Sequence, residues 1–176
     1  YDAKRSAYLL AALVDPFPSG SVFLCVVDPG VGGDRAAVVV EADGRRFVGP
    51  DNGLLDPLLR RADHRPAWSI TWRPAALSSS FHGRDLFAPV AAMIARGEDV
   101  PGTPIDTDTL GRPEWPDELD EIVYIDRYGN AMTGRRAQSV PASAMVVAGG
   151  ERIRRATTFS DVPPGTPFWY ENSAGL

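Results

Sequence analysis

The sequence predicts an α/β domain followed by an all-β domain, and three observations support this prediction. Before residue 98, apolar strand-like runs alternate with helical patterns, as in α/β proteins. Residues 98–118 are rich in Pro, Gly, Asp and Thr and lack periodicity, which is typical of a linker or an exposed crossover. From residue 121 onward the signals are mostly strands. We therefore predict an α/β domain over residues 1–110 and an all-β domain over residues 111–176.

The first domain is expected to hold three helices and four strands. Apolar residues at helical spacing, and apolar or β-branched runs, predict helices at 2–14, 53–62 and 84–96 and strands at 21–28, 36–42, 45–48 and 67–72. Residues 21–28 form a continuous apolar run, as expected of a strand buried on both faces, so we predict a central, mostly parallel sheet. Asp43-Gly44 predicts a hairpin turn between the second and third strands.

In the second domain, the same reasoning predicts four further strands. They lie at residues 122–125, 144–148, 151–157 and 167–170. Gly149-Gly150 is the hairpin turn that joins two of them.

Composition excludes several classes of function. The net charge is -5 and Lys4 is the sole lysine, so the chain lacks the basic stripe of a nucleic-acid-binding protein. The lone Cys25 lies in an apolar run and predicts a buried structural thiol. No apolar stretch approaches the roughly 18 residues of a membrane span, and no His, Cys or carboxylate spacing predicts a metal site. We expect a soluble cytoplasmic protein. We also expect that further segments of its fold lie before and after the printed sequence.

Three motifs of the first domain are candidates for chemistry. Asp28 ends a predicted strand, and a glycine-rich loop leads from it to Arg35, at the sheet edge where open α/β sheets bind ligands. Asn52 precedes a predicted helix, whose N-terminus presents amides to a polar ligand. His82 lies in a polar loop before a helix, a position suited to proton transfer. Each motif taken alone is also explained by an ordinary turn, a helix cap or a solvated loop.

Two motifs of the second domain are turns that carry aromatic or polar residues. Residues 125–130 carry Asp126, Tyr128 and Asn130, a set able to grip a heterocycle but also typical of a β-turn. Residues 172–175 form a polar turn after an aromatic run.

The glycine-rich loop of the first domain does not match two known nucleotide-binding patterns. It lacks the dinucleotide-binding fingerprint, because Arg35 occupies the place of its third glycine, and the phosphate-binding Walker pattern is also absent.

Taken in order, the five motifs resemble the S-adenosyl-L-methionine (SAM) hydroxide adenosyltransferases, also called adenosine-forming SAM hydrolases. That family is similar to the SAM-dependent fluorinases and chlorinases. The resemblance implies an α/β N-terminal domain, a small all-β, barrel-like C-terminal domain, and a homotrimer with SAM bound between the N-terminal domain of one subunit and the C-terminal domain of its neighbour. It also implies that the ribose-binding N-terminal strand of the family precedes the printed sequence.

The resemblance implies roles for particular residues. Water or hydroxide would attack C5′ of SAM, releasing adenosine and L-methionine, with SAM as substrate and no cofactor. The catalytic set falls on Asp28, Arg35 and His82. Substrate-binding positions fall on Asn52, Phe81, Gly83, Asp126, Tyr128, Asn130, Phe159 and Ser173.

Two alternatives stay open at this point. A halogenase would use the same substrate with chloride or fluoride as the nucleophile, although the halide site of that branch needs a residue other than Gly83. A non-catalytic SAM- or adenosine-binding module would have no need of the Asp28, Arg35 and His82 set. Neither alternative involves nucleic acid or a membrane.

Overall fold

The computed structural model describes residues 2–176, which fold into two compact units divided between Asp117 and Glu118. The first unit contains a five-stranded sheet and three α-helices, and the second contains two small sheets. No helix among the described residues is long and apolar enough to span a membrane.

The first unit is built on a mixed sheet of strand order β1-β3-β2-β4-β5. Its strands are β1 (Val22–Leu24), β2 (Ala37–Ala42), β3 (Arg45–Pro50), β4 (Ala67–Ile70) and β5 (Gly102–Ile105). Its α-helices are α1 (Ala3–Leu13), α2 (Asp56–Arg61) and α3 (Ala88–Ala95), and a π-helical turn, Gly83–Phe87, leads directly into α3.

The prediction of a mostly parallel sheet is wrong for the described strands. Within this five-stranded sheet only β1 and β3 pair in parallel, whereas β2 runs antiparallel to β3 and to β4, and β4 runs antiparallel to β5. The predicted Asp43-Gly44 hairpin accounts for the antiparallel pairing of β2 with β3, since a two-residue turn can join only antiparallel strands. Both turn residues have positive φ, +49° and +78°, as such a turn demands.

Two predicted segments differ from the structure. The strand predicted at 21–28 pairs only over Val22–Leu24, and one further backbone bond joins the Cys25 N–H to the carbonyl of Val48 at 2.8 Å. The supposed linker at 98–118 instead contributes β5, the edge strand of the sheet, and a 3₁₀ turn at Thr107–Leu110. Leu110 is 5% exposed and belongs to the core, although the polar residues around it give no hydrophobic pattern that would predict its burial.

The sheet has helices packed on both of its faces. Along β2 the side chains alternate, so Val38 and Val40 face the core formed with α1 and α2, while Val39 faces the core formed with α3. Phe87 and Val90, both fully buried, lie in the second core. This packing fixes the π-helical turn, and with it His82, against one face of the sheet.

The second unit consists of short strands in two sheets. Its strands are β6 (Leu119–Ile125), β7 (Ala131–Gly134), β8 (Val146–Ala148), β9 (Glu151–Arg155) and β10 (Phe168–Trp169). The order β10-β9-β8 forms one sheet, β6-β7 forms the other, and the predicted Gly149-Gly150 hairpin joins β8 to β9. The strand pairing leaves both sheets with open edges, so the described strands do not close into the barrel that the resemblance implies.

Candidate active site

The two ends of one loop carry Asp28 and Arg35. After Cys25 the chain leaves the β1 ladder, turns through bonds from the Val31 N–H to the Asp28 carbonyl (3.3 Å) and from the Gly33 N–H to the Gly30 carbonyl (3.0 Å), and enters β2 just past Arg35. We call residues 28–35 the catalytic-set loop. The loop brings two side chains seven positions apart within hydrogen-bonding distance.

Asp28, Arg35 and His82 form one hydrogen-bonded group centred on Arg35. Arg35 Nε donates to Asp28 Oδ1 at 2.8 Å, and Nη2 donates to Asp28 Oδ2, so the pair is bidentate. The same Nη2 lies 3.0 Å from His82 Nδ1. The side chains of Arg35 and Asp28 are only 11% and 4% exposed, so solvent and salt screen the pair weakly.

The contact between Arg35 and His82 fixes the position of the imidazole proton. A guanidinium carries only donors and keeps its charge, so His82 Nδ1 accepts this hydrogen bond. The neutral ring then carries its hydrogen on Nε2. Within residues 2–176, the hydrogen bonds of Arg35 engage Nε and Nη2 but not Nη1. Two donors, Arg35 Nη1 and His82 Nε2, are thus left for an oxygen ligand.

A buried aromatic ring backs the guanidinium. The Arg35 Cζ atom lies 5.2 Å from the centroid of the Phe87 ring, which is fully buried. The contact has cation–π geometry and keeps water from one side of the group. Sequence analysis missed Phe87, because an aromatic residue in an apolar helix gives no signal beyond that of ordinary core packing.

Close backbone packing holds the catalytic-set loop against the loop that carries His82. Gly32 has φ +81°, and a Cβ placed there would lie 2.5 Å from the carbonyl oxygen of Ser79. A Cβ on Gly83 would come within 3.2 Å of Val26 Cγ1. Gly32 therefore permits a backbone approach that a larger residue would prevent, whereas at Gly83 the Val26 side chain would have to shift slightly.

Asn52 lies beside the same loop. It does not cap α2, contrary to the helix-cap interpretation of its motif. The residue before α2 is Leu55, which makes no side-chain cap. Asn52 Nδ2 instead donates to the carbonyl of Val27 at 2.8 Å, and its Oδ1 accepts from the Leu54 N–H at 3.2 Å. This bond explains why the predicted long first strand ends early: a side chain, not a neighbouring strand, satisfies the Val27 carbonyl.

Phe81 lies next to His82 and is exposed. The residue is 56% exposed, and the Arg84 guanidinium lies 4.7 Å from its ring centroid. Arg84 also pairs with Asp85, and this hydrogen bond is the main cause that holds the pKa of Asp85 below its usual range. The Ser78 N–H donates to the same carboxylate at 3.1 Å, which closes the loop around Phe81 and His82.

In the second unit, Asp126, Tyr128 and Asn130 come together in one turn. Asp126 Oδ1 accepts from the N–H groups of Tyr128 (2.8 Å) and Asn130 (2.9 Å), and Oδ2 accepts from Asn130 Nδ2 at 2.8 Å. The Asn130 side chain is the main cause that lowers the pKa of Asp126. The carboxylate thus shapes the turn, while Tyr128 is 75% exposed and its ring centroid lies 4.8 Å from the Arg127 guanidinium.

Phe159 and Ser173 also lie in the second unit. Phe159 is 63% exposed and packs edge-on against Phe168 at 5.3 Å between ring centroids. Ser173 is exposed in a turn that Asn172 closes by accepting from the N–H groups of Ala174 and Leu176. The predicted site residues therefore form two groups: Asp28, Arg35, Asn52, Phe81, His82 and Gly83 in the first unit, and Asp126, Tyr128, Asn130, Phe159 and Ser173 in the second.

Comparisons with known proteins identify the family. The (R)-S-adenosyl-L-methionine hydrolase of Thermus thermophilus is 40% identical over an alignment that covers 99% of this chain and 73% of that protein. The protein of the same name from Salinispora arenicola is 38% identical, over 99% of this chain and 72% of its own. An uncharacterised conserved protein from Thermotoga maritima has a crystal structure with a TM-score of 0.84 at 28% identity, over 99% of this chain and 74% of that one.

Two family models cover most of the sequence. The SAM hydroxide adenosyltransferase N-terminal domain matches residues 1–103, and the C-terminal domain of the same family matches residues 120–176. Neither match extends into the segment from 104 to 119, which contains the junction of the two compact units. The chain therefore belongs to the SAM hydroxide adenosyltransferase family.

Proposed function

We propose that this chain hydrolyses SAM to adenosine and L-methionine. The observation that carries the proposal is the hydrogen-bonded group of Asp28, Arg35 and His82, which offers two donors to one small oxygen ligand. Family membership supplies the substrate, since relatives at 38% and 40% identity are named (R)-S-adenosyl-L-methionine hydrolases.

The reaction is a substitution at the C5′ carbon of the ribose. The oxygen of water or hydroxide forms a bond to C5′ as the C5′–S bond breaks, and the electron pair of that bond goes to sulfur. The sulfonium becomes the neutral thioether of methionine, and one proton of the attacking water is released to solvent. Because the leaving group is already neutral, the step needs neither a general acid nor a Lewis-acid metal.

The proposed role of Arg35 and His82 is to stabilise the nucleophile. Bulk water has a pKa of about 15.7, so hydroxide is scarce at neutral pH. Donors at Arg35 Nη1 and His82 Nε2 favour a hydroxide-like oxygen, and they act strongly because the Arg35 side chain is nearly buried. Asp28 holds the guanidinium in place through both of its carboxylate oxygens, which makes it an orienting residue.

Substrate binding is proposed to draw on both groups of residues. Phe81 and Gly83 flank His82 in the chain, and Asn52 bonds to the Val27 carbonyl next to Asp28. The exposed rings of Tyr128 and Phe159 suit stacking on adenine. We propose that the second group is supplied by a neighbouring subunit of a homotrimer. Light scattering should then give a mass about three times the 19.0 kDa of this chain, and a monomer would contradict this part of the proposal.

The function is tested by incubating the protein with SAM and separating the products. Adenosine and methionine should form in equal amounts, and an equimolar Arg35→Ala variant is the control for contaminating activity. Parallel reactions with chloride and fluoride would yield a 5′-haloadenosine if the chain were a halogenase. Tight adenosine binding without turnover would instead identify a binding module.

A further inference from the structure

The segment that joins the two compact units makes specific contacts with the first one. We call residues 110–117 the strap. Leu110 is buried in the core of the first unit, and the Arg112 N–H donates at 2.7 Å to Oδ1 of Asp56, a carboxylate that is only 1% exposed. The Trp115 ring lies so close to Gly53 that a Cβ on Gly53 would be 2.4 Å from Trp115 Cη2. The strap is thus fixed to the first unit at three points: its core, the start of α2 and the turn after β3.

Arg112 connects the strap to that turn through its side chain. Its Nη2 donates to Asp51 Oδ1 at 2.9 Å, and its Nη1 donates to the carbonyls of Leu110 and Gly111, each at 3.1 Å. Both Arg112 and Asp51 are about three-quarters buried, with side-chain exposures of 25% and 23%. The planar guanidinium spans the strap on one side and the carboxylate on the other, which the point charge of a lysine would not reproduce.

The turn that Arg112 holds is bonded in turn to both ends of the catalytic-set loop. The Asp51 N–H donates to the Ala36 carbonyl at 2.9 Å, immediately after Arg35. Asn52 Nδ2 donates to the Val27 carbonyl at 2.8 Å, immediately before Asp28. The turn therefore braces the two points between which Asp28 and Arg35 are presented.

We propose that Arg112 is a positioning residue for the reaction: through Asp51 it fixes the turn that spaces Asp28 from Arg35. The proposal rests on the proposed SAM hydrolysis and extends it to a residue outside the substrate-binding positions. Arg112 touches none of the catalytic set, so its effect passes through Asp51. Misplacement of reacting groups by about 1 Å costs on the order of a hundredfold in rate.

The test compares Arg112→Ala, Arg112→Lys, Asp51→Asn and the double variant Arg112→Ala/Asp51→Asn. We expect each single change to lower kcat by about tenfold or more, with the double variant no worse than the poorer single one. Arg65→Ala is the matched control, because Arg65 pairs with Asp108 at 2.9 Å elsewhere in the connecting region and should keep wild-type kcat. Multiplying effects in the double variant, an unchanged kcat in the single ones, or an equal loss in Arg65→Ala would overturn the proposal.

Amide hydrogen exchange separates this inference from the proposed function. In Arg112→Ala and in Arg112→Lys, peptides covering residues 27–36 should exchange faster than in the wild type, whereas Arg65→Ala should leave them unchanged. Wild-type protein that fails to cleave SAM would refute the function alone. Unaltered exchange in the catalytic-set loop of both Arg112 variants would refute the positioning role, whatever the activity.

Discussion

Replacing Arg35 by lysine tests the catalytic set while keeping its charge. Arg35 makes two bonds to Asp28 and one to His82, and it has a further donor at Nη1. A lysine ammonium is a single point with three donors, so it keeps at most part of the Asp28 contact and loses the bridge to His82. Loss of one such donor to a developing anion typically costs about 10²- to 10³-fold in kcat, or about 2.7–4 kcal/mol.

The same change also affects stability, and the two effects are separable. Losing hydrogen bonds to the nearly buried Asp28 carboxylate should lower the free energy of unfolding by about 1–3 kcal/mol, well below the roughly 5–15 kcal/mol of a typical domain. Arg35→Lys should therefore remain folded at 25 °C but turn over about 10²- to 10³-fold more slowly. Urea unfolding would establish that it is folded.

The assay measures adenosine by chromatography at several SAM concentrations, so that kcat and KM are obtained separately. Arg46→Lys is the control, because Arg46 forms a partly exposed ion pair with Glu41 at 3.1 Å on the same sheet and such pairs contribute about 0–1 kcal/mol. A kcat within about threefold of wild type in Arg35→Lys would refute the reasoning, since the guanidinium geometry would then be dispensable.

Three further predictions concern stability and accessibility. Gly32→Ala should lower the unfolding free energy by about 1–3 kcal/mol in urea titrations, because of its positive φ and the clash of a Cβ, whereas Gly30→Ala meets nothing within 4 Å and should cost far less. Because the pKa of Asp126 is lowered in the folded protein, its ionised carboxylate stabilises the fold above the ordinary pKa of 3.8, and this contribution is lost as pH falls. Asn130→Ala should therefore lower the melting temperature at pH 7, and the difference in melting temperature from the wild type should shrink in acid. Burial raises the pKa of Cys25 to about 12, so a thiol reagent at pH 8 should label it rapidly only after unfolding, and rapid labelling of the native protein would contradict its buried position.

Elements with strong local signals could be predicted from the sequence. The helix at Ala3–Leu13, the Asp43-Gly44 hairpin and the Gly149-Gly150 hairpin all lie where apolar spacing and turn residues indicate them. Strand direction across the sheet did not follow from the continuous apolar run at 21–28. Leu24 and Val26 in that run are 49% and 42% exposed, so the run is not buried on both faces, and the pairing of β1 with β3 is the only parallel one in that sheet.

Features that depend on long-range contacts could not be predicted. β5 and Leu110 lie in a stretch whose Pro, Gly and Asp content is typical of a linker, and only pairing with β4 and burial in the core give it structure. The proximity of Arg35 to His82, 47 positions away, came from resemblance and not from any local pattern. Phe87 and Arg112 carry no sequence signal that distinguishes them from core and surface residues.

Oxygen labelling tests the central claim of attack on C5′ most directly. Hydrolysis of SAM by the protein in water enriched in ¹⁸O should place one labelled oxygen on C5′ of adenosine and none in methionine, as mass spectrometry of both products would report. Label in the methionine-derived product, or cleavage that yields no adenosine, would contradict displacement at C5′ by a solvent molecule held by Arg35 and His82.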